Sequence, residues 1–205
     1  MNKRTPAYLV LKSAVLFLSL LCFYPLSATN PQKKEMKELN VKKVSLANVA
    51  VENIPALLDK EKVAFQSINT VNWKAFPYQP EVQFRIAHTD DAILVHYKVK
   101  EASVRAVATG DNGAVWEDAC VEFFSIPAGD GIYYNVECNC VGTLLIGAGG
   151  GRSNREHAPQ EVMDKVQRWS SLGRESFEER VGECSWELAL VLSLIHISEP
   201  TRPRL

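Results

Sequence analysis

Two runs of alternating side chains, joined by a turn, decide the fold: Val121-Glu-Phe-Phe-Ser125 and Tyr133-Tyr-Asn-Val-Glu-Cys-Asn-Cys140, on either side of Pro127-Ala-Gly-Asp-Gly131. Period-two alternation predicts strands, and Pro, Gly and Asp between them predict a turn. The simplest register that brings the apolar positions of both runs to one core pairs Glu122 with Glu137, Cys120 with Asn139 and Phe124 with Asn135. We therefore expect an antiparallel hairpin with one apolar face.

The opposite face of this hairpin mixes carboxylates, amides and aromatic rings: Cys120, Glu122, Phe124, Tyr133, Asn135, Glu137 and Asn139. Directly opposed carboxylates repel unless a cation, an arginine or a ligand lies between them. Arg152 and Arg155 follow a glycine-rich segment, and we expect that they can lie over Glu122 and Glu137 and neutralise them. Such a face suits a hydroxyl-rich ligand, which needs donors, acceptors and rings to stack on. A plain solvated face is the alternative.

The rest of the chain supports an all-β fold. Residues 82–86 and 93–99 alternate around the turn Thr89-Asp-Asp91 and predict a second hairpin, and Trp186, Leu188 and Leu190 begin one more strand. Helical spacing of Val162, Val166 and Trp169 predicts a short helix within residues 161–172. Strands at this spacing, with turn residues between them, are typical of an immunoglobulin-like antiparallel β-sandwich.

The N-terminus has the pattern of a secretory signal peptide. Lys3, Arg4 and Lys12 precede the apolar run Ala14-Val-Leu-Phe-Leu-Ser-Leu-Leu-Cys-Phe23, and Ala28 offers a small residue for cleavage. The run is shorter than the roughly 20 residues that a membrane span needs. We expect residues 1–28 to be removed on export, with no membrane span in the mature form. A lipid anchor at Cys22 is the weaker alternative, because bulky Leu21 precedes it.

The remaining boundaries follow from composition. Residues 29–45 are polar and predict a leader or linker, residues 46–191 the β-sandwich, and residues 192–205 a tail. The tail begins Leu192-Ser-Leu-Ile-His-Ile-Ser-Glu-Pro-Thr-Arg202, which resembles the translation of a transposon adapter used in sequencing-library preparation. We therefore expect the tail to be non-native and the last strands of the sandwich to be missing.

Charge excludes one class of partner. The 205 residues have a formal net charge of −1; without the two terminal segments, 18 basic and 23 acidic residues remain, a net charge of −5. Nucleic-acid-binding domains carry a basic face, so we expect no nucleic-acid partner. The expected domain retains Cys120, Cys138, Cys140 and Cys184, which are predicted to be free thiols; a disulfide from Cys184 to Cys138 or Cys140 is the alternative.

A resemblance to a known family rests on Trp116-Glu-Asp-Ala-Cys-Val-Glu-Phe-Phe124 followed by Tyr133-Tyr-Asn-Val-Glu-Cys-Asn-Cys-Val-Gly142. The two motifs in this order resemble the family-nine carbohydrate-binding modules, particularly the exported branch of gut Bacteroidetes. The resemblance implies a sandwich in which two tryptophans clamp a terminal sugar, with structural calcium nearby. It assigns Trp116 to the first tryptophan and Glu122 to the acidic residue that binds sugar hydroxyls. Glu137 stands where the family places an arginine, and the second tryptophan would lie beyond Val191.

Two functions of different class follow. The first is a non-catalytic carbohydrate-binding domain whose ligand contacts are Trp116, Glu122, Asn135, Glu137, Asn139 and Arg152, either alone or as part of a larger secreted polysaccharide-degrading protein. The second is a glycoside hydrolase in which Glu122 and Glu137 form the acid/base pair, since opposed strand positions place carboxyls near the ~5 Å separation of retaining enzymes. An open sheet face without a cleft favours the binding domain.

Overall fold

A computed structural model describes residues 38–47, 49–126 and 130–193. The predicted signal peptide, most of the predicted leader, turn residues 127–129 and the predicted tail from residue 194 onward lie outside the described residues. From Leu39 onward, the described chain forms one unit.

The described residues form mostly strands: β1 Lys42–Lys43, β2 Gln66–Ile68, β3 Glu81–His88, β4 Ala92–Ala106, β5 Cys120–Ser125, β6 Tyr133–Asn139, β7 Leu144–Gly149, β8 Glu156–His157, β9 Gln167–Ser170 and β10 Phe177–Ser193. Two short helices are α1 Ile54–Lys60 and α2 Gln160–Met163. Single 3-10 turns cover Val51–Asn53, Val115–Glu117 and Arg152–Asn154.

The strands form two sheets. One has the order β1-β3-β4-β10-β9, with β2 also paired to β3, and the other has the order β5-β6-β7-β8. Neighbouring strands are antiparallel except β1, which runs parallel to β3. The prediction of an all-β sandwich is confirmed.

The core lies between the sheets. Alternate residues of β4 and β10, such as Val95 and Leu190, pack against residues of the smaller sheet such as Val136 and Ile146. The intervening residues of the larger sheet pack outward against α1, so this sheet is buried on both faces in its centre. Burial of apolar surface at about 25 cal/mol per Å² makes these two layers the main stabilising term.

The deciding hairpin has the predicted register. Glu122 pairs with Glu137, Cys120 with Asn139 and Phe124 with Asn135. Gly142 follows β6 at a φ of +84°, where a β-carbon would collide with the Arg174 guanidinium. The second predicted hairpin is formed by β3 and β4.

One sequence prediction is confirmed only in part, and another is wrong. The helix expected within residues 161–172 covers only Gln160–Met163, and Trp169 lies on β9 instead, because β10 offers an open edge for Gln167–Ser170 to pair with. The strand expected to begin at Trp186 begins at Phe177, since the second half of β4 extends its pairing. Residues 178–183 are exposed and lack alternation, so no burial pattern marks them.

The larger sheet extends beyond both predicted boundaries of the sandwich, residues 46 and 191. Lys42 and Lys43 pair with β3 and Val44 is buried, although all three belong to the predicted leader. Leu192, the first residue of the predicted tail, pairs with Ile93 and is fully buried. Within the described ranges, no helix has the length and apolar character to cross a bilayer.

Candidate functional site

The outward face of the β5–β6 hairpin is more buried than its sequence predicts. Asn135 and Asn139 have no exposed surface, and Glu137 is 6% exposed, whereas Glu122 on the outer strand is exposed. The reason is that β6 lies between β5 and β7. Arg155, from the segment after β7, also lies over Glu137, and Asp118, from the turn before β5, bonds Asn139. The expected row of amide and carboxylate ligands therefore reaches solvent mainly at Glu122.

A buried ion pair lies beneath that surface. Arg155 Nη1 lies 3.6 Å from Glu137 Oε1, and Asn135 Nδ2 donates to the same oxygen at 2.7 Å. The Arg155 guanidinium also lies over the Tyr133 ring, 5.8 Å from its centroid. Arg155 thus neutralises Glu137, which is one part of the arrangement expected for Arg152 and Arg155.

Gly147 makes room for this arrangement. It pairs with Asn135 across the β6–β7 ladder, and a β-carbon there would lie 2.8 Å from Asn135 Oδ1. That oxygen is a buried acceptor with no hydrogen-bond partner among the described atoms. Asn135 is therefore positioned by Gly147 and orients Glu137.

Glu122 is the accessible acid of the site. Loss of hydration on the sheet raises its pKa above the usual range, and the charge of Glu137 raises it further. Arg155 and Arg152 act in the opposite direction through their charges, Arg152 from its exposed 3-10 turn. Phe124, on the same face, is 52% exposed, with its ring centroid 6.1 Å from that of Tyr133. An acceptor beside exposed rings can bind hydroxyl groups and stack on apolar ring faces.

Trp116 lies on a firmly held turn before β5. Its side chain is 54% exposed, while Asp118, two residues later, accepts backbone N–H groups of Val107 and Ala108 at 3.0 Å each. Asn139 Nδ2 donates to Asp118 at 2.9 Å.

The other end of the Asn139 amide is also occupied. Its Oδ1 accepts the backbone N–H groups of Val141 and Thr143 at 3.2 and 2.8 Å. The expectation that Asn139 contacts ligand is therefore corrected: a fully buried amide with these three bonds fastens the Trp116 turn to the end of β6.

A second group of exposed aromatic residues lies beside the hairpin and was not predicted from the sequence. Trp73, Phe76 and Tyr78 are 68%, 70% and 60% exposed and line an open groove of about 460 Å³. Glu122 lies at the wall of the same groove. Three aromatic residues within residues 73–78, next to Pro77 and Pro80 and without period-two alternation, were the available signal.

Known proteins resemble this chain in sequence and in fold. The model of carbohydrate-binding family 9 matches residues 52–197. The chain belongs to carbohydrate-binding family 9. A candidate carbohydrate-binding protein from Bacteroides uniformis ATCC 8492, known from a crystal structure at 2.70 Å resolution, is 58% identical to this family 9 chain. The match covers 82% of this chain and 77% of that one, with a TM-score of 0.76. No curated protein matches.

The structural calcium that the family resemblance implied finds no matching set of ligands here. Within the described ranges, no three His, Cys, Asp or Glu side chains converge. Asp111, a carboxylate near the site, is bound by both terminal nitrogens of Arg168 at 2.7 Å each. The described residues of the family 9 chain therefore supply no carboxylate cluster for calcium.

Another groove, of about 400 Å³, lies on the larger sheet. It is lined by Lys98, Lys100 and Glu187 among others, and Lys98 lies 3.2 Å from Glu187. Glu187 also bonds Nε2 of the buried His96 at 2.8 Å, and burial lowers the pKa of His96 to about 4. The described ion pairs therefore account for the charges of Lys98, Lys100 and Glu187 in this groove.

Proposed function

We propose that the chain is an exported, non-catalytic domain that binds poly- or oligosaccharide in carbohydrate breakdown. Trp116 stacks on a sugar ring, and Glu122 accepts hydrogen bonds from sugar hydroxyls. The observation that carries this proposal is Glu122, the accessible carboxylate of a sheet face whose other acid is already neutralised by Arg155. Such a face binds hydroxyls without carrying a second uncompensated charge.

The buried members of the face have supporting roles in this proposal. Asn135 and Arg155 fix Glu137 beneath the accessible Glu122. Arg152 is exposed and can swing toward a bound sugar. One stacked ring and a few charge-assisted bonds give a dissociation constant on the order of micromolar to millimolar.

Titration calorimetry against a panel of plant and host glycans tests the proposal. We expect Trp116→Ala and Glu122→Gln each to weaken binding by on the order of tenfold, equivalent to about 1.4 kcal/mol. Glu117→Gln is the matched control, since Glu117 is exposed on the same turn as Trp116. Absence of binding by the wild type to every glycan would refute the proposal.

A hydrolase remains the second candidate because one acid has a raised pKa beside another carboxylate on the opposite strand. The ion pair between Glu137 and Arg155 opposes it, since a nucleophile or base must be free to reach the sugar. Release of reducing ends that Glu122→Gln abolishes would favour the hydrolase. Binding without any turnover would reject it.

The proposed export and the proposed tail have direct tests. Mass spectrometry of the protein secreted from its native host should give a mature N-terminus at Thr29. Resequencing of the genomic locus should give a different reading frame after Val191. An intact gene that encodes residues 192–205 would refute the adapter origin.

A further inference from the structure

The groove beside Glu122 has the build of a binding platform. Trp73 and Phe76 contact each other edge to face, with centroids 6.2 Å apart and planes inclined by 64°. Trp73 and Phe76 are each about two thirds exposed to solvent. Isolated exposed apolar residues are ordinary, but contiguous exposed aromatic surface marks an interaction site.

Hydrogen bonds of the backbone hold the segment that carries these rings. The Phe76 backbone N–H donates to Trp73 O at 3.0 Å, which closes the turn that carries both rings. The Ala102 backbone N–H donates to the Tyr78 hydroxyl at 2.8 Å and thereby ties the segment to β4. Pro77 restricts the backbone between the two contacts. A platform fixed before binding loses little conformational entropy when a ligand arrives.

The polar residues of the groove define the ligand's chemistry. Thr70, Asn72 and Gln79 contribute neutral hydroxyl and amide groups, and Glu122 is the one charged residue among the described residues of the lining. Neutral donors and acceptors beside aromatic rings match sugar hydroxyls and C–H faces. A single carboxylate and an acidic domain disfavour uronate or sulfate groups. The groove also adjoins the proposed sugar face through their shared Glu122.

We propose that this groove binds an internal stretch of a neutral, soluble polysaccharide, with Trp73 and Phe76 stacking on neighbouring sugar rings and Glu122 linking the groove to the outward face of the β5–β6 hairpin. This inference rests on the proposed function and specifies its ligand. The inclination between the two rings requires sugars that are themselves inclined, as in a twisted chain. A flat crystalline surface would need coplanar rings and does not fit.

Affinity gel electrophoresis with arabinoxylan, glucomannan, laminarin and polygalacturonate, together with a pull-down on crystalline cellulose, tests the inference. We expect binding to at least one neutral polymer and little to polygalacturonate or cellulose. Trp73→Ala and Phe76→Ala should each lower affinity for that polymer by on the order of tenfold, and Trp73→Phe should retain most of it. Lys74→Ala, exposed on the same turn, is the matched control and should bind like the wild type.

Thermal unfolding checks that each variant is folded. Because two aromatic positions are tested, the experiment still decides the question if one variant fails to fold. Polymer binding that survives both alanine variants, while Trp116→Ala abolishes it, would overturn this inference and leave the proposed function standing. Binding to no carbohydrate would overturn both. Preference for polygalacturonate or crystalline cellulose, or a dimer in solution that Trp73→Ala dissociates, would also overturn the inference.

Discussion

Removal of the Arg155 guanidinium should destabilise the protein in a way that depends on pH. Arg155→Met preserves much of the side-chain volume but leaves Glu137 buried and opposite Glu122 without its cation. Loss of one partner of a buried ion pair generally costs 3–5 kcal/mol. Here the N–O separation is 3.6 Å and the arginine side chain is 19% exposed, so part of the interaction is already weakened by distance and water.

We therefore expect Arg155→Met to lower the free energy of unfolding by about 2 kcal/mol at pH 7. For a domain of this size, that corresponds to a decrease in Tm of about 4–8 °C. Urea unfolding at pH 7 measures the loss. Arg152→Met, which removes a charge from the exposed neighbouring turn, is the control and should change stability by less than about 0.5 kcal/mol.

The pH dependence gives a second criterion. The pKa of Glu122 is raised in the folded protein, so the folded state binds protons more readily than the unfolded state and becomes relatively more stable as pH falls. Removal of Arg155, whose charge lowers that pKa, should enlarge this effect. The loss caused by Arg155→Met should therefore be largest above the folded pKa of Glu122 and shrink as pH falls through it.

A double variant isolates the pair. Glu137→Gln removes the buried charge and retains an oxygen for Asn135, so Arg155→Met should cost much less in that background. Equal losses in both backgrounds, or an unchanged loss between pH 7 and pH 4.5, would show that Arg155 acts through packing instead of charge.

Two further predictions concern the interior. Gly147→Ala should destabilise by about 1–3 kcal/mol in urea because its β-carbon meets Asn135 Oδ1, whereas Gly150→Ala has open space and should be close to neutral; equal effects would contradict the steric argument. The pKa of His96 is lowered to about 4 in the folded protein. As pH falls, His96 is therefore protonated near pH 6.5 in the unfolded chain but only near pH 4 in the folded chain, so the free energy of unfolding should fall by about 3 kcal/mol between these two values. His96→Asn should flatten this slope, and an unchanged slope would assign the effect to another group.

The register of the β5–β6 hairpin could be predicted because the alternation of apolar and polar residues is compatible with few pairings. Val121, Val136 and Cys138 share one core only when Glu122 opposes Glu137, and the structure has that pairing. The burial of Asn135 could not be predicted in this way. It depends on β7 and the segment carrying Arg155, which are brought over β6 by the topology of the sheet.

The aromatic groove was missed for a related reason. Trp73 and Phe76 lie between strands β2 and β3, where no periodicity indicates which way a side chain points. Their proximity to Glu122 arises only when the two sheets pack together. Local patterns thus predicted β3, β4, β5, β6 and the last part of β10, with Glu122 among the candidate site residues. Tertiary packing brings the aromatic residues of the groove next to Glu122.

The position of β10 has a consequence for how the chain folds. Although β10 is the latest strand along the described chain, it lies inside the larger sheet, between β4 and β9, and pairs with β4 from Phe177 to Ser193. The main apolar layer therefore cannot close during synthesis until about residue 193 has emerged. Contacts of such long sequence separation slow folding and leave β4 with an unpaired edge in the meantime. Late closure of the core would favour the proposed export, because a secretion channel passes a chain that has not yet folded.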